Sequence, residues 1–347
     1  MKKKVKMADI AKKLDVSVVT VSKALANKDG VSPEMRGRIK ALAIDMGYSS
    51  KASRSSQNDE PRDIGILIAQ TFVNSKDAFY WEIYEKVVSR LQANDYYAVL
   101  EIVTPEDKAN LTPPRIIRRV CGLIVIGSFS DDYLTVLHLS KTPIVYLDSY
   151  NHKNYQDAVI SDGYYGMYSI TNYLISMGHR KISFLGTLGA TSSINDRYFG
   201  FLRAMEEHGI SVTDEMRMDD RNENGVIEFH LPEHLPTAFA CNCDITAYTL
   251  IQMLKERGLH VPKDVSVTGF DNCNVSSLSD PAITTYAVDK DGMVFACVKK
   301  LLDKMTNQRS ENHINVIVGK MEIKKSVAEY RAYPAPDTDG PPTCSPL

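Results

Sequence analysis

Two sets of residues in this chain have types and spacings that can do chemistry. The first is cationic. Through residue 56 there are thirteen Lys and Arg against five Asp and Glu, an excess of about +8, whereas the 347 residues sum to −2, so the remainder carries about −10. Such an excess attracts phosphate. Within it Val18, Val19, Thr20, Ser22 and Lys23 offer apolar, hydroxyl and ammonium groups of the kinds that meet base edges. The second set is acidic with one guanidinium. Asp148, Cys243, Asp244 and Asp271 come at or just after the ends of β-rich runs, and Arg197 follows the polar stretch 187–195. Groups so placed line the ligand crevice of an open α/β sheet.

Competing chemistries are few. Asp148 and Asp271 also have the types of a glycosidase carboxylate pair, but nothing else favours hydrolysis and the basic segment would go unexplained, so no enzyme is expected. Cys241 and Cys243, two apart, are read as reduced thiols at a strand end rather than as a metal or redox pair. The six cysteines include no Cys-x-x-Cys, and neither metal nor cofactor is expected. With 44% hydrophobic and 24% charged residues the composition is globular. No apolar run approaches the roughly 20 residues of a membrane helix. Asp9, Lys12, Lys13 and Asp15 interrupt the basic start before a signal-peptide core could form, so the expected compartment is the cytoplasm, without a membrane.

These groups need elements to position them. Ile10, Ala11 and Leu14 share one face of a short helix that Asp15 ends. Ser17 is placed to cap a second helix whose buried face is Val21 and Leu25, which puts Val18, Val19, Thr20, Ser22 and Lys23 on or near its exposed side. After a loop at 27–30, Ser32-Pro33-Glu34 supplies a cap, a first-turn proline and an acid at the positive helix end. Ile39, Leu42, Ala43 and Met46 stripe the third helix, and Gly47 is its C-cap. Three short helices on one core, the first two a few residues apart, make a helix-turn-helix head. From Asp63 onward β-rich runs at 64–69, 97–103, 122–126, 144–147, 182–185, 238–241 and 265–269 alternate with helical stretches at 79–94, 163–177, 198–208 and 245–257. The alternation predicts parallel sheets with helices on both faces, and the length predicts two doubly wound lobes.

The head residues carry a resemblance. Asp9-Ile10-Ala11, Val16-Ser17-x-x-Thr20-Val21-Ser22-Lys23-Ala24-Leu25, Gly30-Val31-Ser32 and Gly47-Tyr48 strongly resemble the DNA-binding head of the lactose-repressor/galactose-repressor family of bacterial transcription regulators. Asp63-Ile64-Gly65-Ile66, Pro143-Ile144-Val145-Tyr146-Leu147-Asp148, Met177-Gly178-His179-Arg180-Lys181-Ile182, Arg197-x-x-Gly200-Phe201, Pro262-x-Asp264-Val265-Ser266-Val267-x-Gly269-Phe270-Asp271 and Ile283-Thr284-Thr285 are similar, in order and spacing, to the family's periplasmic-binding-protein-like core.

The resemblance implies a helix-turn-helix head at 1–50, a hinge at 51–61, an effector and dimerisation module at 62–332, and a disordered tail at 333–347. Strand exchange would make the first lobe about 62–161 plus 288–318 and the second about 162–287 plus 319–332. Val18 and Val19 take the two main base-reading positions and Lys23 the third, usually Arg. The full DNA-contacting set is Lys6, Ser17, Val18, Val19, Thr20, Ser22, Lys23, Lys51 and Arg54. Two valines can only meet thymine methyls or exclude wrong shapes, so Lys23 carries the polar readout, with a backbone phosphate contact as the alternative. The segment 51–58 lacks the family's Pro-Asn and wedge Leu and is expected to be a flexible tether with electrostatic contacts from Lys51 and Arg54.

Effector contacts implied by the family are Asp148, Arg197 and Asp271, whose forked groups suit vicinal hydroxyls, with Cys243 and Asp244 beside them. Phe79, Tyr80 and Trp81 begin the helix of the cleft wall, and Phe79 and Trp81 are the expected facing pair. Two departures matter. Cys243-Asp244 stands where Asn-Asp is common, so an effector hydrogen bond is either lost or handed to Asn242, and 219–236 is short, Pro-broken and lacks an aromatic many members have. The expected function is a homodimeric repressor, associated with the nucleoid, that reads a near-palindromic double-stranded operator under a sugar or glycoside effector. A purine-type co-repressor is the alternative, and a transport-associated sugar-binding protein is disfavoured. The family's tetramerising leucine heptads are missing from the tail, which favours a dimer.

Overall fold

In the computed structural model the described residues are 5–25, 28–46, 62–74, 79–150, 157–306 and 313–331. They belong to two compact units, Met1–Glu60 and Pro61–Leu347. The expected Gly47 cap, the hinge with Lys51 and Arg54, and the proline-rich tail lie outside the described residues.

The head is α1 (Met7–Leu14), α2 (Val18–Leu25) and α3 (Pro33–Asp45). Asp15 ends α1 in a left-handed conformation, φ 53°. Ser17 Oγ accepts from the Thr20 N–H at 3.0 Å and caps α2, and Ser32 Oγ accepts from Met35 N–H at 3.3 Å to start α3. Ile10, Ala11, Val21, Ala24, Ile39 and Ala43 form the core. Ala24, not Leu25, is the fully buried partner of Val21. The three-residue step points Ala24 at the core while Leu25 is only partly buried at its edge.

The second unit runs β1 (Asp63–Ala69), α4 (Gln70–Asn74), α5 (Phe79–Gln92), β2 (Tyr97–Val103), α6 (Pro105–Ala109), β3 (Gly122–Ile126), α7 (Asp131–His138), β4 (Ile144–Leu147) and β5 (Ala158–Ser161). It continues with α8 (Gly163–Ser176), β6 (Ile182–Leu185), α9 (Ser192–Glu207), β7 (Arg217–Met218), β8 (Ala238–Cys241), α10 (Asp244–Glu256), β9 (Ser266–Thr268), α11 (Asn274–Leu278) and β10 (Thr285–Ala287). It closes with α12 (Lys290–Met305), β11 (Ile314–Ile317) and β12 (Lys320–Glu322).

Lobe 1 is a six-stranded parallel sheet in the order β11-β5-β4-β3-β1-β2, and lobe 2 a four-stranded parallel sheet in the order β7-β6-β8-β9. Strands buried on both faces read as near-continuous apolar runs rich in Ile, Leu and Val, which is why β1, β3 and β4 are plain in the sequence. The strands β5, β7, β10, β11 and β12 were not expected. They are two to four residues long, and β11 alternates exposed and half-buried positions at a sheet edge. Helix α9 also begins earlier than the expected 198, because Thr191 Oγ1 accepts from Ile194 N–H at 3.1 Å and the Ser, Asn and Asp that follow suit a first turn.

The chain passes between lobes after β5, between β10 and α12, and between β11 and β12. These crossings lie side by side: Ile317 pairs with Ser161, Ala287 pairs with Lys320, and the Asp162 N–H donates to the Ile317 carbonyl at 3.0 Å. Short paired crossings of this kind make a hinge. No described helix is long and apolar enough to cross a membrane.

Candidate functional site

On the head, the expected readers gather on one exposed face of α2. Val18 and Val19 are 47% and 64% exposed, and Ser22 and Lys23 are exposed beside them. Two bare valines on a small helical unit are unpartnered apolar surface next to cations. Thr20 is half-buried, and its hydroxyl and that of Ser17 lie 2.8 Å apart, so both serve the helix start as well as the face. Lys6 is exposed at the head of α1, where its backbone N–H donates to Asp9 at 2.7 Å. Gly30, with φ +93°, turns the following loop beneath Lys23, and a Cβ there would stand 3.5 Å from the Lys23 ammonium.

Between the lobes is a cavity of about 320 Å³. Lobe 2 provides its polar floor from successive strand ends. Arg197, in the second turn of α9, donates through Nη1 to the Asn242 carbonyl at 2.6 Å and through Nη2 to Asp271 Oδ1 at 2.9 Å. Its guanidinium carbon sits 3.9 Å over the centre of the Phe270 ring. Burial opposes the charge on Arg197, but the Asp271 and Asp148 carboxylates overcome it and raise its pKa. Its Nε is buried without a hydrogen-bond partner.

Asp148 lines the cavity from lobe 1, accepting from the Tyr80 hydroxyl at 3.0 Å. Asp148 and Asp271 have left-handed backbone, φ 61° and 99°, as does Asn272 at φ 50°. Such strain in non-glycine residues concentrates at working sites.

Phe79 lines the cavity as expected, but Trp81 does not. Tyr80 takes that place with Phe72, at a ring separation of 4.6 Å, while Trp81 packs edge-on against Tyr84 at 5.7 Å and is 37% exposed. The buried stripe Tyr80, Ile83, Val87 and Leu91 fixes the phase of α5 and turns position 81 away. That stripe was legible in the sequence.

Cys243 reaches the wall, its thiol 3.2 Å from the Thr246 hydroxyl, and Asp244 lies behind it. Asp244 accepts from the Cys273 N–H and the Thr285 hydroxyl, each at 2.7 Å, so it braces the loop that carries Asp271 instead of lining the cavity. Burial, then the Asp271 charge, pushes its pKa up to about 8. Among the described residues no cysteine pairs with another in a disulfide.

Sequence reasoning missed Arg221 and its anchor. Asp220, fully buried, takes the Arg221 fork at 3.0 and 2.8 Å, the Asn242 amide at 2.6 Å and the Thr246 hydroxyl at 2.7 Å. Burial pushes the Asp220 carboxyl up, but those bonds, the Arg221 fork first, outweigh it and hold its pKa down. Asn242 thus carries both arginines: its carbonyl accepts from Arg197 and its side-chain oxygen from Arg221 at 3.3 Å. No local signal marks this pair in the sequence, because Asn242 lies some twenty residues further along the chain.

Comparison with known proteins places this geometry. Residues 6–51 match the family described as "Bacterial regulatory proteins, lacI family", and residues 171–327 match the "Periplasmic binding protein-like domain". The chain is 32% identical over 333 residues, 92% of its length and 96% of the relative's, to the "HTH-type transcriptional repressor PurR" of Klebsiella pneumoniae (strain 342). Two solved structures share its fold: a lac repressor dimer bound to operator and the anti-inducer ONPF, and a complex of the transcriptional regulator CelR with cellobiose. The first has a TM-score of 0.70 at 20% identity, covering 94% of this chain and 100% of that one. The second has a TM-score of 0.67 at 20% identity, covering 93% and 100%. With head and core matched together in one relative, the chain belongs to the lacI family of bacterial regulatory proteins and is a DNA-binding transcription regulator rather than an enzyme.

Proposed function

We propose that this regulator is a cytoplasmic, nucleoid-associated repressor that binds a near-palindromic operator as a homodimer and is released by a sugar or glycoside in the interlobe cleft. The observation that carries the effector reading is the cavity walled by both lobes around the buried Arg197–Asp271 pair, with Asp148 and the aromatic edge of Tyr80 opposite. Forked cations and carboxylates exchange two hydrogen bonds with neighbouring hydroxyls, and an aromatic face stacks on a sugar ring. A ligand touching both walls binds one lobe orientation better than the other, and the difference, typically about 1–3 kcal/mol, is what operator affinity loses.

On the DNA, a two-fold dimer matches a two-fold site. Val18 and Val19 read by apolar contact and exclusion, and Lys23 supplies the directional hydrogen bond, in a permissive code since an ammonium lacks a guanidinium's fork. A second reading, a purine-type co-repressor, draws on the Phe72 and Tyr80 rings, which would also hold a planar heterocycle.

A thermal-shift screen of sugars, oligosaccharides and nucleobases on the full chain decides between them, because a ligand of the folded state raises the melting temperature. Sugars are expected to give the shift. Arg197→Ala should lose it while still retarding operator DNA, assayed below the variant's melting temperature. A shift from nucleobases alone refutes the sugar reading, and a sugar shift that survives Arg197→Ala refutes the assignment of the effector to the cleft.

A further inference from the structure

Helix α12 opens with a residue in the wrong place for a helix. Asp289, whose carboxylate accepts from the Gly292 N–H at 2.9 Å and caps it, and Asp291 both suit the positive end, but between them stands Lys290. The helix dipole opposes a cation there, and this one is also buried, only 7% exposed. The seam between α12 and α5 does not need it, because Lys86 and Asp291 already pair across that seam at 2.6 Å. Positions that break local preference concentrate at working sites.

The Lys290 ammonium has contacts in both lobes. In lobe 1 it donates to Glu82 Oε2 on α5 and lies 5.5 Å from the centre of the Phe79 ring, which lines the cavity. Its other contact leaves lobe 1: Lys290 Nζ donates to Cys273 Sγ at 3.6 Å. Cys273 follows the left-handed pair Asp271 and Asn272, beyond β9 in lobe 2, and its N–H is the one that Asp244 holds. Burial opposes the charge on Lys290, but Cys273, Glu82 and then Asp271 outweigh it and raise its pKa. Groups from both lobes thus keep this ammonium charged.

Lys290 also stands directly after the crossing between β10 and α12. Turning one lobe on the other at that crossing shifts the ammonium against the Cys273 loop, so the contact changes with the angle between the lobes. A ligand that draws on Asp271 or presses on Phe79 acts on one end of it.

We propose that Lys290 is a positioning residue of the effector site: it ties the lobe 2 loop that carries Asp271 to the Glu82 and Phe79 wall of lobe 1, so that the place of Asp271 and the angle between the lobes are set together. The proposal rests on the cavity being the effector site. The tie steadies the loop before any ligand arrives, and a ligand held by Asp271 then favours one lobe angle over another.

Hydrogen exchange on the full chain without ligand, read by mass spectrometry of its peptides, tests the tie. Lys290→Met should speed exchange at 271–276, in the opposite lobe, by about tenfold while β6 and β8 keep their wild-type rates. Cys273→Ala should speed 290–294 from the other side, whereas Cys273→Ser, which keeps an acceptor for the ammonium, should leave that segment near its wild-type rate. Faster exchange confined to 79–83 and 290–294 in Lys290→Met, or spread equally over β6 and β8, makes Lys290 a residue of stability alone and overturns the proposal. An unchanged rate at 271–276 overturns it too. No sugar or nucleobase enters the measurement, so a cavity that binds neither fails its own screen and leaves this result standing.

Discussion

The exposed face of α2 and the floor of the interlobe cavity hold their working groups in opposite ways. On α2, Val18, Val19, Ser22 and Lys23 lie outside the small core of Ile10, Val21, Ala24 and Ile39, and the fold does not depend on them. In the cavity, Arg197, Asp271, Asp220 and Asn242 are buried and already bonded to one another. The contrast teaches that reading and sensing have different costs. The head's reading face can change without touching stability, whereas the cavity's polar groups are also part of what holds lobe 2 together.

The largest test of that contrast is Arg197→Ala. It leaves Asp271 buried without its cation and should lower the stability of the second unit by about 3–5 kcal/mol in denaturant unfolding. A loss below 1 kcal/mol would show that the cavity is as separable from the fold as the head face.

Next in size is the pH response of Asp244. Its folded pKa of about 8 stands above the ordinary 3.8, so between those values the native state holds a proton that the unfolded state has released. Its contribution is complete below the lower value and fades as pH rises through the upper one. Stability should fall by at most about 1.4 kcal/mol per pH unit across pH 5–7 from this group. Asp244→Asn, compared with wild type by unfolding at pH 5.5 and 7, should flatten that slope, and parallel slopes would sink the assignment.

Lys23→Ala sharpens the head side. If Lys23 reads a base, one operator position relaxes by about tenfold, roughly 1.4 kcal/mol, in binding to a panel of single-base operator variants. A uniform loss across the panel would make it a phosphate contact instead. Smallest of all is the stability change for Val19→Ala, expected within about 0.5 kcal/mol even as operator preference shifts. A larger drop would mean that the valine belongs to the core.

The same contrast explains what was legible. Local signals suffice for the head, where Ser17 and Ser32 cap helices within three residues of their targets and apolar spacing sets the buried faces. They also suffice for strands such as β1 and β3, whose double burial writes itself as near-continuous apolar runs rich in Ile, Leu and Val. Asp271 and Asp148 could be singled out because they follow strand ends that point at a crevice, and Arg197, on α9, through the family resemblance. Arg221 could not, because its position depends on Asp220 and Asn242, and Asn242 reaches it from a strand end some twenty residues away. Asp244 was misplaced for a related reason. One residue along a helix start is a turn of about 100°, enough to move a carboxylate from the cavity wall to the layer behind it.

The left-handed backbone at Asp148 and Asp271 restricts how this pocket can diversify. At φ 61° and 99° only Gly, Asn and Asp sit at low cost, and a β-branched or bulky replacement is a genuine outlier. Over many generations those two positions can exchange charge for neutrality by passing from Asp to Asn, but they have little access to other side chains. Change in ligand preference is therefore channelled to neighbours on ordinary backbone, Tyr80 and Arg221 among them, so that paralogues with new effectors would keep the acids and vary the rim.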